Sequence, residues 1–239
     1  MQNPWINLPI TDPYLLDMDK QWEQEHFEVL LKRANKLIPE LKEQFLSTYK
    51  LHLEVMPIPY YGNPSKATVI VLQANPGHDA KEDLNPHKAK YPELLRKNLL
   101  HTSQIPLFTM DPNLRSWTYT DGSKANCWYY ERTRELREAV GWEKVAEKLI
   151  YLELFPYRSK RLFYPKRLPP SQDYVFQLLR EMMNRGVWII STRMKKQWEE
   201  HVPELINYEK LIVLHSKQNV TISRNNVGDK FDKIIEILG

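Results

Sequence analysis

The stretch Ala67-Thr68-Val69-Ile70-Val71-Leu72-Gln73-Ala74-Asn75-Pro76-Gly77-His78-Asp79 decides how this chain folds. Its apolar and β-branched run is halted abruptly by a turn of Asn75, Pro76 and Gly77. A strand with no polar alternation is buried on both faces, which is the pattern of a parallel sheet. In open α/β sheets ligands bind in the crevice outside the carboxyl ends of the strands. Asn75 to Asp79 are therefore expected to overhang a binding crevice.

Working outward, three further apolar runs read as strands: Leu149 to Phe155, ended by Pro156, then Val187 to Ile190, then Leu211 to Leu214. Helical spacing falls between them, at Tyr91 to Leu100, Tyr130 to Val140, Trp142 to Leu149, Ser171 to Asn184 and Asp229 to Leu238. Strands alternating with helices give an α/β fold, and right-handed crossovers place helices on both faces of the sheet. The expectation is a single domain over 1–239 with a four-stranded parallel sheet. Residues 1–66 form an N-terminal arm and covering helix, and 67–219 form the core. The arm, with prolines at 4, 9 and 13, should lie irregularly across the surface. Trp22 to Phe45 reads as one long amphipathic helix, and Pro57, Pro59 and Pro64 around Gly62 read as a linker.

Composition bounds the function. The chain has 239 residues, 42% of them hydrophobic, enough to bury a full core, and a net charge of only +4. Charge by itself therefore does not argue for nucleic acid; placement has to. One cysteine, Cys127, rules out an intramolecular disulfide or a cluster held by four thiolates. The N-terminus lacks the basic head and apolar core of a signal peptide, so a cytoplasmic protein is expected. No metal ligand set accompanies His78 and His87, and no cofactor is expected.

The strand ends gather Asn75, His78, Asp79, Tyr157, Arg158, Ser159, Lys160, Arg161, Ser191, Arg193, His215, Ser216, Lys217 and Asn219. Cationic loops after separate strands, beside one polar turn, point to phosphate binding. Between the first two strands, an aromatic-rich patch includes Trp117, Tyr119, Trp128, Tyr129 and Tyr130, with Asp121-Gly122 as a turn; it reads first as core.

These strand ends resemble the uracil-DNA glycosylase superfamily. There the motif after the first strand reads Gly-Gln-Asp-Pro-Tyr-His in one branch and Gly-Ile-Asn-Pro-Gly in the mismatch-specific branch. Gln73-Ala74-Asn75-Pro76-Gly77-His78 resembles the second in Asn-Pro-Gly and the first in the following His. His215-Ser216 stands where the superfamily commonly has His-Pro-Ser, and Glu153 where it places a base-reading Asn. Glu153 to Ser159 is also similar to a Glu-x-Phe-Pro-Tyr-x-Ser stretch of divergent bacterial relatives. The opening Gly and the Pro before Ser216 are missing. The resemblance implies a three-layer sandwich and a monofunctional glycosylase that hydrolyses the N-glycosidic bond of a flipped base. It implies DNA as the partner, with RNA left open.

On that reading Asn75 orients a water, Asp79 is a candidate general base, and His215 is a candidate donor to the departing base. Gln73, Pro76, Gly77, His78, Glu153 and Tyr157 would form the base pocket or its backbone approach. Arg158, Ser159, Lys160, Arg161, Arg193, Ser216, Lys217 and Asn219 would hold phosphates. Glu153, on a buried strand, either pairs with Arg158 or Arg193 or accepts from a ligand. A non-catalytic nucleic-acid-binding module and an enzyme of free nucleosides or nucleotides are the alternatives.

Overall fold

The computed structural model describes residues 2–79, 91–115, 128–216 and 218–239 of the chain. The five strands found among them are β1 (Tyr60–Tyr61), β2 (Val69–Gln73), β3 (Leu149–Glu153), β4 (Trp188–Ser191) and β5 (Leu211–Val213). The helices are α1 (Lys20–Ala34), α2 (Pro39–Tyr49), α3 (Tyr91–Leu99), α4 (Pro112–Arg115), α5 (Trp128–Arg132), α6 (Arg134–Val140), α7 (Trp142–Lys148), α8 (Gln172–Asn184), α9 (Lys195–His201), α10 (Arg224–Val227) and α11 (Phe231–Leu238).

The strands form one mixed sheet in the order β1-β3-β2-β4-β5. β2 lies at its centre, parallel to β3 on one side and to β4 on the other, and β4 is parallel to β5. The four-stranded parallel expectation is corrected by β1, which pairs antiparallel with β3 through Tyr60 with Leu152 and Tyr61 with Tyr151. A strand of two residues carries no period to read, and its flanking prolines disguise it as a linker. Gly62 makes this edge possible: at φ 131°, a Cβ there would stand 2.7 Å from Leu149 O.

All five residues of β2 and of β3 are buried. Each of the apolar side chains Val69, Ile70, Val71 and Leu72, at most 1% exposed, contributes about 1.5–3 kcal/mol by leaving water. Helical segments cover both faces. Tyr61 and Tyr151 share one face, where Tyr129 of α5 packs at 4.9 and 4.8 Å between ring centroids. Tyr60 leaves the opposite face and meets Tyr174 of α8 at 6.1 Å.

The expected single helix over Trp22 to Phe45 is two, α1 and α2. Pro39 occupies the first turn of α2, and Ile38 before it is extended at ψ 155°, because a residue preceding proline is pushed out of the helical region. The N-terminal arm is also more deeply packed than expected, with Trp5 1% exposed and Leu8, Leu15 and Leu16 buried. Asp19, fully buried, accepts from the Tyr157 hydroxyl at 2.6 Å and from Ser171 N at 3.0 Å. Burial raises its carboxyl above the ordinary range against the hydrogen bonds from Ser171 and Tyr157. Among the described residues no helix is long and apolar enough to cross a membrane.

Candidate functional site

At the carboxyl ends of β2 and β3 lies a cavity of about 450 Å³. Its floor is Gln73, Ala74 and Glu153 where the two strands end. One wall is the turn Asn75 to Asp79; another is aromatic, with Tyr61, Tyr91, Phe108, Trp128 and Tyr129; Arg158, Lys160 and Arg193 are the cations of the lining. The crevice expected from the first strand and its turn is therefore present.

The turn is held by the loop after β3. Asn75 Nδ2 donates to Pro76 O at 3.2 Å, to Ser159 O at 3.4 Å and to Ser159 Oγ at 3.3 Å. These bonds commit the nitrogen end of the amide and leave Oδ1 as its available acceptor. His78 N donates to Ser159 O at 3.1 Å, and Gly77 and Ser159 form an isolated parallel bridge. A Cβ on Gly77 would meet nothing within 4 Å, so at this point main chain borders open space.

Gln73 and Glu153 are register partners in adjacent parallel strands. Side chains at paired positions leave the sheet on the same face, so amide and carboxyl stand side by side. Thr192 Oγ1 divides its proton between Leu72 O at 2.8 Å and Gln73 Oε1 at 3.1 Å, and Trp198 Nε1 fixes the main chain there by donating to Gln73 O at 2.9 Å. Glu153 is 2% exposed. Burial pushes its carboxyl up to about 8, against the pull of the Arg158 charge, a hydrogen bond with Tyr129 and the Arg193 charge. Desolvation thus outweighs both guanidiniums, and the acid is predominantly neutral at pH 7. The two guanidiniums expected as partners of Glu153, Arg158 and Arg193, both act on its carboxyl, and desolvation is the larger effect.

The cationic rim is smaller than expected. Arg158 is aimed by its main-chain contacts, Nε to Met56 O at 2.9 Å and Nη1 to Gly77 O at 3.2 Å. Arg193 Nη2 donates to Gln218 O at 3.2 Å. Lys160 is exposed at the mouth. Arg161 does not line the cavity. Ser159 is fully buried and gives its hydroxyl proton to Arg161 O at 2.9 Å, so it ties loops together instead of meeting phosphate. Ser216 Oγ accepts from Asn219 N, Asn219 Oδ1 accepts from the Thr221 hydroxyl and from Arg132 Nη1, and neither residue lines the cavity. Lys217 lies outside the described residues, as do Trp117, Tyr119, Asp121, Gly122, Cys127 and His87.

Two further expected site residues, one catalytic and one of the pocket, also lie outside the lining. His215 is exposed and absent from the cavity lining; Asn225 O, within α10, lies 3.1 Å from its Nδ1. Short β5 ends before reaching the cavity, and β4 stands between it and β2. Tyr157 is 1% exposed and outside the lining, its hydroxyl spent on Asp19 and its ring packed on Trp5 and Trp22. It is a strut for the N-terminal arm and does not line the cavity.

The aromatic wall is what the sequence largely concealed. Trp128 and Tyr129 belonged to the recognised aromatic patch, but Tyr61 sat in an apparent linker and Phe108 carried no signal. Thr109 N donates to the Tyr61 hydroxyl at 2.8 Å, which joins the edge strand to this wall.

His52, Glu54 and His78 bring possible metal-binding atoms within 4.8 Å of one another. The two rings, however, lie face to face with centroids 3.5 Å apart and planes 14° apart, and His52 Nδ1 is 2.7 Å from Glu54 Oε1. Imidazole lone pairs lie in the ring plane, so two nearly parallel stacked rings do not direct both nitrogens at one ion. The cluster is a stacked pair hydrogen-bonded to a carboxylate. Comparison of the chain with family models, with curated proteins and with solved structures finds no match in any of the three.

Proposed function

We propose that the chain is a nucleic-acid-binding protein of the uracil-DNA glycosylase-like fold, and that it hydrolyses the N-glycosidic bond of a base turned out of the stack. The observation that carries this reading is the convergence of Asn75, Asp79, Gln73 and Glu153 in one aromatic-walled cavity with Arg158, Lys160 and Arg193 around it. An extruded base needs a flat apolar wall, polar atoms for its edge, and cations for the phosphates on either side. Cleavage passes through an oxocarbenium-like sugar. Asn75 Oδ1 is the acceptor that orients the attacking water, its amide held by Ser159. An amide does not take up the water's proton, and Asp79, exposed on the same wall, supplies the carboxylate that does.

A non-catalytic binding module is the second reading, favoured by the position of His215 outside the cavity. One experiment separates the two. Oligonucleotides bearing uracil, hypoxanthine or alkylated bases are incubated with wild-type protein and with Asn75→Ala, then treated with alkali. Strand breaks at the modified base that depend on Asn75 support the hydrolase. Salt-sensitive binding without breaks supports the module.

A further inference from the structure

Two hydrogen-bonding atoms beside the cavity are buried and without a partner: Gln73 Nε2 and Glu153 Oε2. They belong to register partners on neighbouring strands, and both residues line the cavity. A single orphaned polar atom in a folded chain invites an explanation; two on register partners that both line one cavity point to a ligand that satisfies both once it settles on the floor. The Thr192 hydroxyl shares its one proton between Leu72 O at 2.8 Å and Gln73 Oε1 at 3.1 Å, and the Gln73 N–H end has no partner. The Tyr129 hydrogen bond engages the Glu153 carboxyl, while Oε2 remains unpartnered. Burial raises this carboxyl to about 8, and in this reading its proton sits on the unpartnered Oε2. Arg158, Tyr129 and Arg193 act on it; His78, Asp79, Lys160 and the phenols of Tyr61 and Tyr91 share the cavity lining. Both orphans are then donors, an N–H and an O–H.

We propose that Gln73 and Glu153 together read a base edge that offers two adjacent acceptors, the O6 and N7 edge of a 6-oxopurine, and that Glu153 is the catalytic acid that protonates N7. This rests on the glycosylase reading above. Guanine-type bases present O6 and N7 as neighbouring acceptors, whereas adenine sets its N6 amine against a donor. Each uracil carbonyl is flanked by N3–H or by ring carbon or the glycosidic nitrogen, so uracil answers only one of the two donors. A mispaired hypoxanthine also leaves the stack more easily than a paired guanine.

In the reaction the Glu153 Oε2–H bond breaks as N7–H forms. The electron pair of the C1′–N9 bond passes into the purine, which leaves as a neutral base. Water adds to C1′, its proton is taken by Asp79, and solvent exchange returns a proton to the Glu153 carboxylate. Hypoxanthine, water and an abasic sugar account for every atom. Acid assistance also compensates for the absence of His215 from the cavity.

The test uses the full chain with oligonucleotides bearing hypoxanthine, 7-deazahypoxanthine or uracil, between pH 6 and pH 9.5. Wild-type cleavage of hypoxanthine is expected to fall as pH rises through about 8, because only the protonated acid is active. Glu153→Gln keeps the shape and a donor but has no transferable proton. It should bind the hypoxanthine strand within about threefold of wild type, cleave it at least ~100-fold more slowly, and lose the alkaline limb. The 7-deaza strand should be bound and left intact. Hypoxanthine cleavage that is flat with pH and undiminished in Glu153→Gln overturns the acid role and leaves the glycosylase reading standing. Uracil cleaved in preference to hypoxanthine overturns the edge assignment. Cleavage of no strand overturns both together.

Discussion

The Asn75 amide nitrogen donates to the Ser159 hydroxyl at 3.3 Å and to the Ser159 carbonyl at 3.4 Å, a contact between loops 84 residues apart. The main-chain bond from His78 N to Ser159 O, at 3.1 Å, does not depend on the side chain. Ser159→Ala should therefore fold while loosening the amide, which keeps only its main-chain acceptors Ser159 O and Pro76 O. Loss of one such hydrogen bond, worth about 1 kcal/mol, should lower single-turnover cleavage roughly five- to tenfold. Affinity for the same strand should stay within about twofold, because Ser159 does not line the cavity. Equal losses in rate and affinity would show that Ser159 supports binding rather than the reacting geometry.

Two glycines should respond oppositely. At Gly77 an added methyl meets nothing within 4 Å, so Gly77→Ala should leave stability within about 0.5 kcal/mol. The methyl would stand beside the cavity, and weaker strand binding in a fluorescence-anisotropy titration is the expected result. At Gly62, with φ 131°, the methyl would approach Leu149 O to 2.7 Å and the Ile150 Cα to 2.8 Å. Gly62→Ala should cost about 4 kcal/mol or more, read as a large drop in the urea midpoint.

Acid should weaken the fold through His26. This residue is 5% exposed and stacks on Trp22 at 5.1 Å. Burial lowers its imidazole from 6.5 to about 4. The folded chain then binds fewer protons than the unfolded chain between those values, so stability is whole above 6.5 and declines as pH falls. Replacement by Phe removes the titration and keeps a ring against Phe155 and Phe163, its other neighbours. Relative to wild type, His26→Phe should gain about 2 kcal/mol between pH 7.5 and pH 5 in urea unfolding. An unchanged difference across that range would place the imidazole in contact with water.

Lys160 offers the cleanest reading of the rim, being exposed at the cavity mouth. Lys160→Ala should weaken binding of every strand by a similar factor, whatever base it bears. The slope of log affinity against log salt should become shallower by about 0.7–0.9, the release of one counterion. A changed base preference with an unchanged slope would assign Lys160 to the base and not to phosphate.

Much of the site was legible along the chain because its local causes are local. An apolar run stopped by Asn75-Pro76-Gly77 announces a buried strand and a polar turn at its end, and the cavity lies there. Arg158, Lys160 and Arg193 follow strands and reach the same edge. Pro39 was in view, yet the strong apolar period of Trp22 to Phe45 masked it; proline's effect on the preceding residue divides the helix.

Sequence by itself determined the alternating α/β order, the parallel central strands and the side of the sheet on which polar groups gather, since periodicity and turn residues act over a few neighbours. Tertiary structure alone decided which of those groups meet. Tyr157 and Ser159 lie near the site in sequence but are buried by Asp19 and Asn75 partners far along the chain. His215 ends a strand of the same sheet but does not line the cavity. The Glu153 carboxyl is the sharpest case: a glutamate is written the same way in water or in a core, and only desolvation, which depends on everything packed around it, raises it to about 8.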